Sequence, residues 1–354
     1  MNRRETLGLL GSIALAGCAG GLSVPAFARG GATLRFCSNA SAVSKVWGTA
    51  YTPGYAEQTG NEVTFADVPN TAAAIMSTRG RGTYDLGYFT YIDVLTLAKN
   101  DALETFDETD FPRLKNIPPR YQLRNAEGKV IGIGAYQAWY GVAYNKSAVQ
   151  ASDFKSWSDL ADPKWKGRLA LNRPMWTAVY DLSILAHALG GDEGDVTQAV
   201  ELFRRIAANA LTSYSSNSHM AQLLTRQEIV AGPYYSHRIF NLRREGQTDL
   251  DLAIPQEGAL ALPYAIAVPK GTKNREAARD FLRYIMEPEP MLKMSELDPV
   301  ISMDPTIKFS ARQEKEVGMD YETLLSKIYM PDWALIDQHW KERTGTCEKI
   351  FAGV

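Results

Sequence analysis

The sequence predicts an α/β fold, on three observations. Short apolar runs with strand-like alternation recur along the chain. Stretches with helical spacing of apolar residues lie between most of them, with cap or stop residues at their ends. The two kinds alternate instead of segregating, which points to strands and helices layered on one another. Composition agrees: 354 residues, 45% apolar and 22% charged, is ordinary for a soluble globular chain and leaves room for two domains.

The elements follow in order. A first strand is predicted at 33–37, where Leu34 and Phe36 alternate with polar residues. Asn39-Ala-Ser41 then caps a helix carrying Val43, Val46 and Trp47. A second strand at 62–65 leads to a helix at 71–77. A third at 85–89 leads to a helix with Val94, Leu95 and Leu97. Residues 110–119 hold three prolines and read as irregular surface chain. Two extended runs, 130–134 and 136–144, follow back to back. A short helix at 157–160 precedes a strand at 168–171. Pro174 opens a helix through Val179, Leu182, Leu185 and Leu189 that Gly190-Gly191 stops. A helix at 200–207 and strands at 210–214, 228–231, 249–254 and 264–268 come next. The helix at 274–286 places Ala277, Phe281, Leu282 and Ile285 on one face.

Residues 1–28 read as an export signal: Arg3 and Arg4, an apolar run from 7 to 19, and a small-x-small end at Ala26-Phe-Ala28. The run is shorter than the ~20 residues a membrane span needs. The paired arginines resemble a twin-arginine (Tat) signal. Cleavage near Ala28 and a periplasmic location are expected. The alternative is a lipid anchor on Cys18, because Leu15-Ala-Gly-Cys18 resembles a lipobox. Beyond the leader, Cys37 and Cys347 could pair or remain buried free thiols.

Composition also excludes. With 38 basic against 40 acidic residues the chain lacks the basic excess of a nucleic-acid binder. Three Cys and four His leave little material for a metal cluster. Gly-x-Ser-x-Gly, His-Glu-x-x-His and phosphate-loop motifs do not occur. Gly132-Ile-Gly134 is too short for a dinucleotide fingerprint. Ser218-His219 is a poor catalytic pair, because its members are adjacent on a turn.

Several stretches resemble the periplasmic solute-binding proteins of ABC importers (extracellular solute-binding protein family 1), in the group serving polyamines, ferric ion and related solutes. Tyr140-Gly-Val-Ala-Tyr-Asn-Lys146 is similar to its crossover strand, and Ser156-Trp-Ser-Asp-Leu-Ala-Asp-Pro-Lys-Trp-Lys-Gly-Arg-Leu-Ala170 to its most recognisable segment. Phe106-Asp107 with Phe111-Pro-Arg-Leu-Lys-Asn-Ile-Pro118 resembles the polyamine branch. Pro255-Gln-Glu-Gly258, Ala265-Ile-Ala-Val-Pro-Lys-Gly-Thr-Lys-Asn274 and Glu287-Pro-Glu289 match the second crossover. The resemblance implies an α/β, two-lobed periplasmic-binding-protein fold of type II with two crossover hinge strands. The first lobe would comprise 32–136 plus 253–298 and the second 139–250 plus 300–354. It implies a monomer without cofactor or nucleic acid, and not an enzyme. Such a protein captures a small solute, polyamine-like or another small organic amine or acid, in an interlobe cleft by hinge closure, and delivers it to an inner-membrane permease. A ferric-ion carrier and a secreted hydrolase or lyase are the alternatives.

Ligands of open α/β sheets bind beyond the carboxyl ends of the strands. The candidates are therefore Asn39 and Ser41 after the first strand, and Tyr88 and Thr90 after the third. Tyr136 and Trp139 lie in the first crossover. Trp176 and Thr177 start the helix after Leu171, and Asn217 follows Tyr214. Tyr234 and Tyr235 follow Ala231, and Glu257 and Tyr264 flank the second crossover. Asn172, Met175, Ser215 and Arg238 belong to the same loops. Alignment puts Thr177, Tyr180 and Tyr264 where the polyamine branch places acids, which favours a monovalent amine, an uncharged or an anionic solute. Tyr234-Tyr235 resembles the twin tyrosines of ferric carriers, but the family adds a His from the first lobe, and the four His here lie at 187, 219, 237 and 339. The leader is checked by mass spectrometry of the mature amino terminus. Cleavage after Ala28 is expected; a lipidated Cys18 would overturn that site, and an uncleaved chain would overturn export.

Overall fold

The computed structural model describes residues 31–39 and 41–353. The expected leader, with Cys18, lies outside them. The strands are β1 (Thr33–Ser38), β2 (Glu62–Asp67), β3 (Leu86–Thr90), β4 (Leu123–Arg124), β5 (Val130–Asn145), β6 (Leu169–Leu171), β7 (Ala210–Ser213), β8 (Ala231–Tyr235), β9 (Leu250–Ala253), β10 (Ala259–Ala267) and β11 (Ile328–Tyr329). They run in the order β2-β1-β3-β10-β5-β8-β6-β7, with β4 and β9 on β5 and β11 on β10. Parallel ladders β1·β2, β1·β3 and β6·β7 form the two flanks. Each flank carries helices on its faces, as parallel strands joined by crossovers require. The fold is α/β and two-lobed.

The two predicted extended runs at 130–144 are one strand. All sixteen residues of β5 are buried, because β5 leaves one lobe and enters the other without reaching the surface. Its first half pairs antiparallel with β10 (Leu260↔Tyr140 to Ile266↔Ile133) and its second half with β8 and β9. β5 and β10 are the two crossovers.

Two strand boundaries differ from expectation, both at a proline. β8 occupies Ala231–Tyr235 instead of 228–231, and β10 starts at Ala259 instead of 264. Pro in a strand reads as a breaker because it cannot donate to a ladder. Here each proline lies beyond one of its ladders: β6 meets β8 at Ala231, before Pro233, and β3 meets β10 from Tyr264 onward, after Pro263. The helix opened by Pro174 is also interrupted. Pro174–Trp176 is α-helical, Thr177–Asp181 forms a π turn, and Leu182–Ala188 resumes the α-helix.

Helices at Asn217–Thr225, Ser236–Arg244, Pro288–Leu297 and Trp333–Phe351 were not anticipated. The last lies in the stretch assigned to the second lobe, yet it packs on Pro174–Trp176 and also on the first-lobe helix Tyr91–Lys99. Thr96 donates to Asp337 at 3.2 Å, and Lys99 pairs with the same carboxylate. Cys37 and Cys347 are both buried free thiols.

Close strand approach depends on glycine at one point of the second lobe. A Cβ on Gly232 would lie 2.1 Å from the carbonyl oxygen of Ala170 in β6. Gly232→Ala should force β6 and β8 apart and destabilise the protein by about 2 kcal/mol or more, the scale of overpacking. Urea unfolding checks this; an unchanged midpoint would show that the ladder yields freely.

Candidate functional site

A cavity of about 500 Å³ opens between the carboxyl ends of the strands of the two lobes. That volume suits a small organic molecule.

The first-lobe wall is aromatic and tied together. β3 ends at Thr90, which caps the helix Tyr91–Lys99 in a reciprocal capping box with Asp93. This corner fixes Tyr88 two residues earlier. The Tyr88 and Tyr136 hydroxyls are hydrogen-bonded at 2.8 Å. Tyr264 stacks on Tyr88, with ring centroids 5.3 Å apart and planes 11° from parallel. Tyr264 and Tyr136 are direct partners across the β10·β5 ladder, so the crossovers themselves present both rings. Trp47, on the helix Ser41–Ala50, lies 6.1 Å from Tyr88 and closes this wall.

The second-lobe wall faces it. Trp176 and Tyr180 are four residues apart across the π turn, and they stack at 5.3 Å and 8°. Tyr235 meets Tyr180 edge-on at 6.2 Å. Asn172, just after β6, donates to the Tyr235 hydroxyl at 3.0 Å and to the Tyr140 hydroxyl at 3.3 Å. Tyr140 in turn donates to the Asp181 carboxylate at 3.3 Å. Burial pushes the Asp181 carboxyl up to about 7, although the hydrogen bond from Tyr140 opposes the shift.

The floor comes from the helix Ser236–Arg244. Its first residue is pinned to the crossover, because Ser236 Oγ accepts from the Trp139 backbone N–H at 3.0 Å. His237 and Arg238 therefore face the cavity. Burial lowers the His237 pKa well below its usual range, so the ring is neutral. Asp298 accepts from Asn241 at 2.8 Å, and burial raises its pKa.

Of the residues expected from sequence, Asn39, Tyr88, Thr90, Tyr136, Trp176, Asn217, Tyr235 and Tyr264 line the cavity. Ser41 opens its helix, but its side chain lies outside the described part. Four others are placed elsewhere. Trp139 has the opposite parity to Tyr136 in β5, so it points to the far face and packs 5.6 Å from Phe240. Thr177 is fully buried and donates to the Asn172 carbonyl at 3.1 Å, closing the helix start. Glu257 accepts from Ser156 at 2.5 Å and holds the turn at Trp157. Tyr234 is 1% exposed, donates to the Asn217 carbonyl, and packs in the second-lobe core.

The last placement also separates the twin tyrosines. Because β8 runs through Tyr235, its neighbouring residues point to opposite faces, and Tyr235 alone of the two lines the main cavity. Among the described residues, no cluster of three or more His, Cys, Asp or Glu could hold a metal ion. Trp47, Tyr180, His237, Asn241 and Asp298 also line the cavity, although strand-end position does not point to them. Trp47 and Tyr180 follow from helical spacing within elements already recognised. Asn241 and Asp298 lie in or beside unanticipated helices and left no sequence signal.

The buried carboxyl gives a pH signature. With its folded pKa raised above the unfolded value, Asp181 holds a proton in the folded state between about pH 4 and 7 that the unfolded chain has released. Its contribution therefore favours the folded state at low pH and is lost as pH rises through 7. Asp181→Asn should flatten the stability profile between pH 5 and 8 and gain most at pH 8, about 1.4 kcal/mol per unit of raised pKa. Thermal unfolding across that range decides; an equal offset at every pH would show that the carboxyl does not titrate there.

Comparison with known proteins places this geometry. The profile of the family described as bacterial extracellular solute-binding protein matches residues 50–320. The chain is 23% identical over 321 residues to the spermidine/putrescine-binding periplasmic protein of Escherichia coli K12, covering 86% of this chain and 87% of that protein. An ABC transporter substrate-binding protein from Bradyrhizobium japonicum superposes with a TM-score of 0.74 at 18% identity, over 88% of this chain and 99% of that one. Iron-bound HitA from Pseudomonas aeruginosa superposes with a TM-score of 0.71 at 18% identity, over 90% and 99%. Among the described residues no helix is long and apolar enough to cross a membrane. A two-lobed fold, a cavity between the lobes and a family profile spanning most of the chain lead to one conclusion: the chain belongs to the bacterial extracellular solute-binding proteins.

Proposed function

We propose that this protein is the periplasmic substrate-binding component of an ABC importer, taking a small organic amine or acid into the interlobe cavity by closure of the lobes. The observation that carries the reading is the aromatic enclosure supplied from both sides, with Trp47, Tyr88 and Tyr264 against Trp176, Tyr180 and Tyr235. Rigid rings with polar tips grip a flat or aliphatic body and exclude water from it. The crossovers β5 and β10 give the lobes a common axis for hinge closure. The closed surface would then be read by the membrane permease.

A multiply charged polyamine is disfavoured, although a relative carries that ligand in its name. Ammonium groups need carboxylates, and among the described lining residues Asp298 is the one acid, already bonded to Asn241. The ferric reading has less support still, because Tyr234 is spent on the lobe core.

Three experiments test the proposal. Protein purified from its native host and then denatured should release a small organic molecule detectable by mass spectrometry. Readdition should reduce the radius of gyration in small-angle scattering; an unchanged radius at saturation would overturn closure. Trp176→Ala should weaken binding about tenfold or more, since one aromatic wall contributes on the order of 1.4 kcal/mol. The melting temperature of the empty protein should barely move, because Trp176 is half-buried at the cavity edge. Intact affinity in Trp176→Ala would remove that ring from the site.

A further inference from the structure

We propose that Arg238 is the anchor for an anionic group of the solute, a carboxylate bound at the cavity floor. The assignment rests on the capture reading above and specifies its substrate class. Arg238 sits in the first turn of the helix Ser236–Arg244 and lines the cavity. Its Nε is buried without a hydrogen-bond partner, and among the described residues its guanidinium makes no ion pair.

The same helix supplies the contrast. Arg243 pairs with Asp251 at 3.3 Å, and Arg244 grips Glu316 with Nε and one terminal nitrogen at 2.6 Å each. The two arginines near the helix end are neutralised by protein carboxylates, whereas the one facing the cavity is not. A largely buried cation without a partner is costly to keep. The protein retains it where a solute can reach it.

Other charges agree. Asp298 accepts from Asn241 and forms no ion pair with Arg238, although the two charges are close enough to favour one another. Asp181 lies behind Tyr140 and Asn172, out of reach of the cavity. Arg173, exposed at the second-lobe rim, adds a second cation whose side chain has no partner among the described residues. Arg238 also borders a shallow recess containing Glu245, to which it makes no ion pair. The lining thus carries two unpaired cations against one engaged acid. A guanidinium offers a planar fork of donors that matches a carboxylate in a way an ammonium does not. The stacked rings on either side then hold the uncharged body of the acid.

Calorimetry and thermal shift with matched probes test this in the full-length mature protein. The probes are aryl, alkyl and ω-amino monocarboxylates, their primary amides, the corresponding amines, putrescine and spermidine. Carboxylates should bind, and each should bind at least tenfold more tightly than its amide. Arg238→Met should weaken the tightest carboxylate at least tenfold, with Arg238→Lys in between. The empty Arg238→Met protein should melt at nearly the same temperature or higher, because the guanidinium makes no ion pair within the protein. A large drop in its melting temperature would make Arg238 structural and overturn the assignment. So would amides or amines that bind as well as the acids, undiminished binding by Arg238→Met, or a panel in which no carboxylate binds. The capture reading is judged separately: a co-purified solute without an anionic group would overturn the Arg238 assignment while leaving capture intact.

Discussion

The antiparallel pairing of β5 with β10 is the constraint on which the rest of the molecule depends. Two strands that cross between lobes must satisfy their backbone groups on the way, and being buried they do so largely on each other. The pairing places Tyr136 opposite Tyr264, so the hinge presents two aromatic rings to the cavity. It also seats the helix Ser236–Arg244, through the bond from the Trp139 backbone to Ser236. Hinge, aromatic wall and basic floor therefore share one scaffold.

Around that scaffold, the second-lobe wall is positioned by a chain of buried polar groups. Asp181, Tyr140, Asn172 and Tyr235 are linked carboxylate to hydroxyl to amide to hydroxyl, and the last member reaches the cavity. Such networks stabilise one arrangement when every member is satisfied, and the low dielectric makes each defect expensive. The π turn at Thr177–Asp181 belongs to the same design. It buries Asp181 while leaving Trp176 and Tyr180 stacked, and π turns often occur at functional sites. By contrast, His237 Nδ1 and Arg238 Nε are left without partners beside the cavity. Buried polar atoms without partners call for an explanation, and a bound solute supplies one for Arg238.

Much of this was legible in the sequence, because local patterns are read from local spacing. The strands at Thr33–Ser38, Glu62–Asp67 and Leu86–Thr90 announce themselves by alternation, and the helix Thr71–Ser77 falls where the sequence predicts it. The position of loops at strand carboxyl ends then found Asn39, Tyr88 and Trp176, and the expected crossovers found Tyr136 and Tyr264. What spacing could not settle was how far each strand runs when a proline interrupts it. Pro233 and Pro263 are tolerated because a neighbouring strand stops short of them, which is a fact about partners distant in sequence. That boundary sent Tyr234 to the core and Tyr235 to the cavity, since adjacent residues of a strand point oppositely.

By itself, the sequence determined the layered α/β class and the aromatic residues at strand ends, because periodicity, caps and strand-end loops are properties of neighbouring residues. The two crossovers and the cleft followed from the resemblance of several stretches to the solute-binding family. Only the tertiary structure decided which charges the cleft presents. The position of Arg238 just after a strand marks it as a cleft candidate ahead of Arg243 and Arg244, but nothing local says which of the three finds a protein carboxylate. Packing gives Asp251 to one and Glu316 to another, and it leaves Arg238 facing the cavity. A charge is neutralised or exposed according to what the fold brings to it from far along the chain.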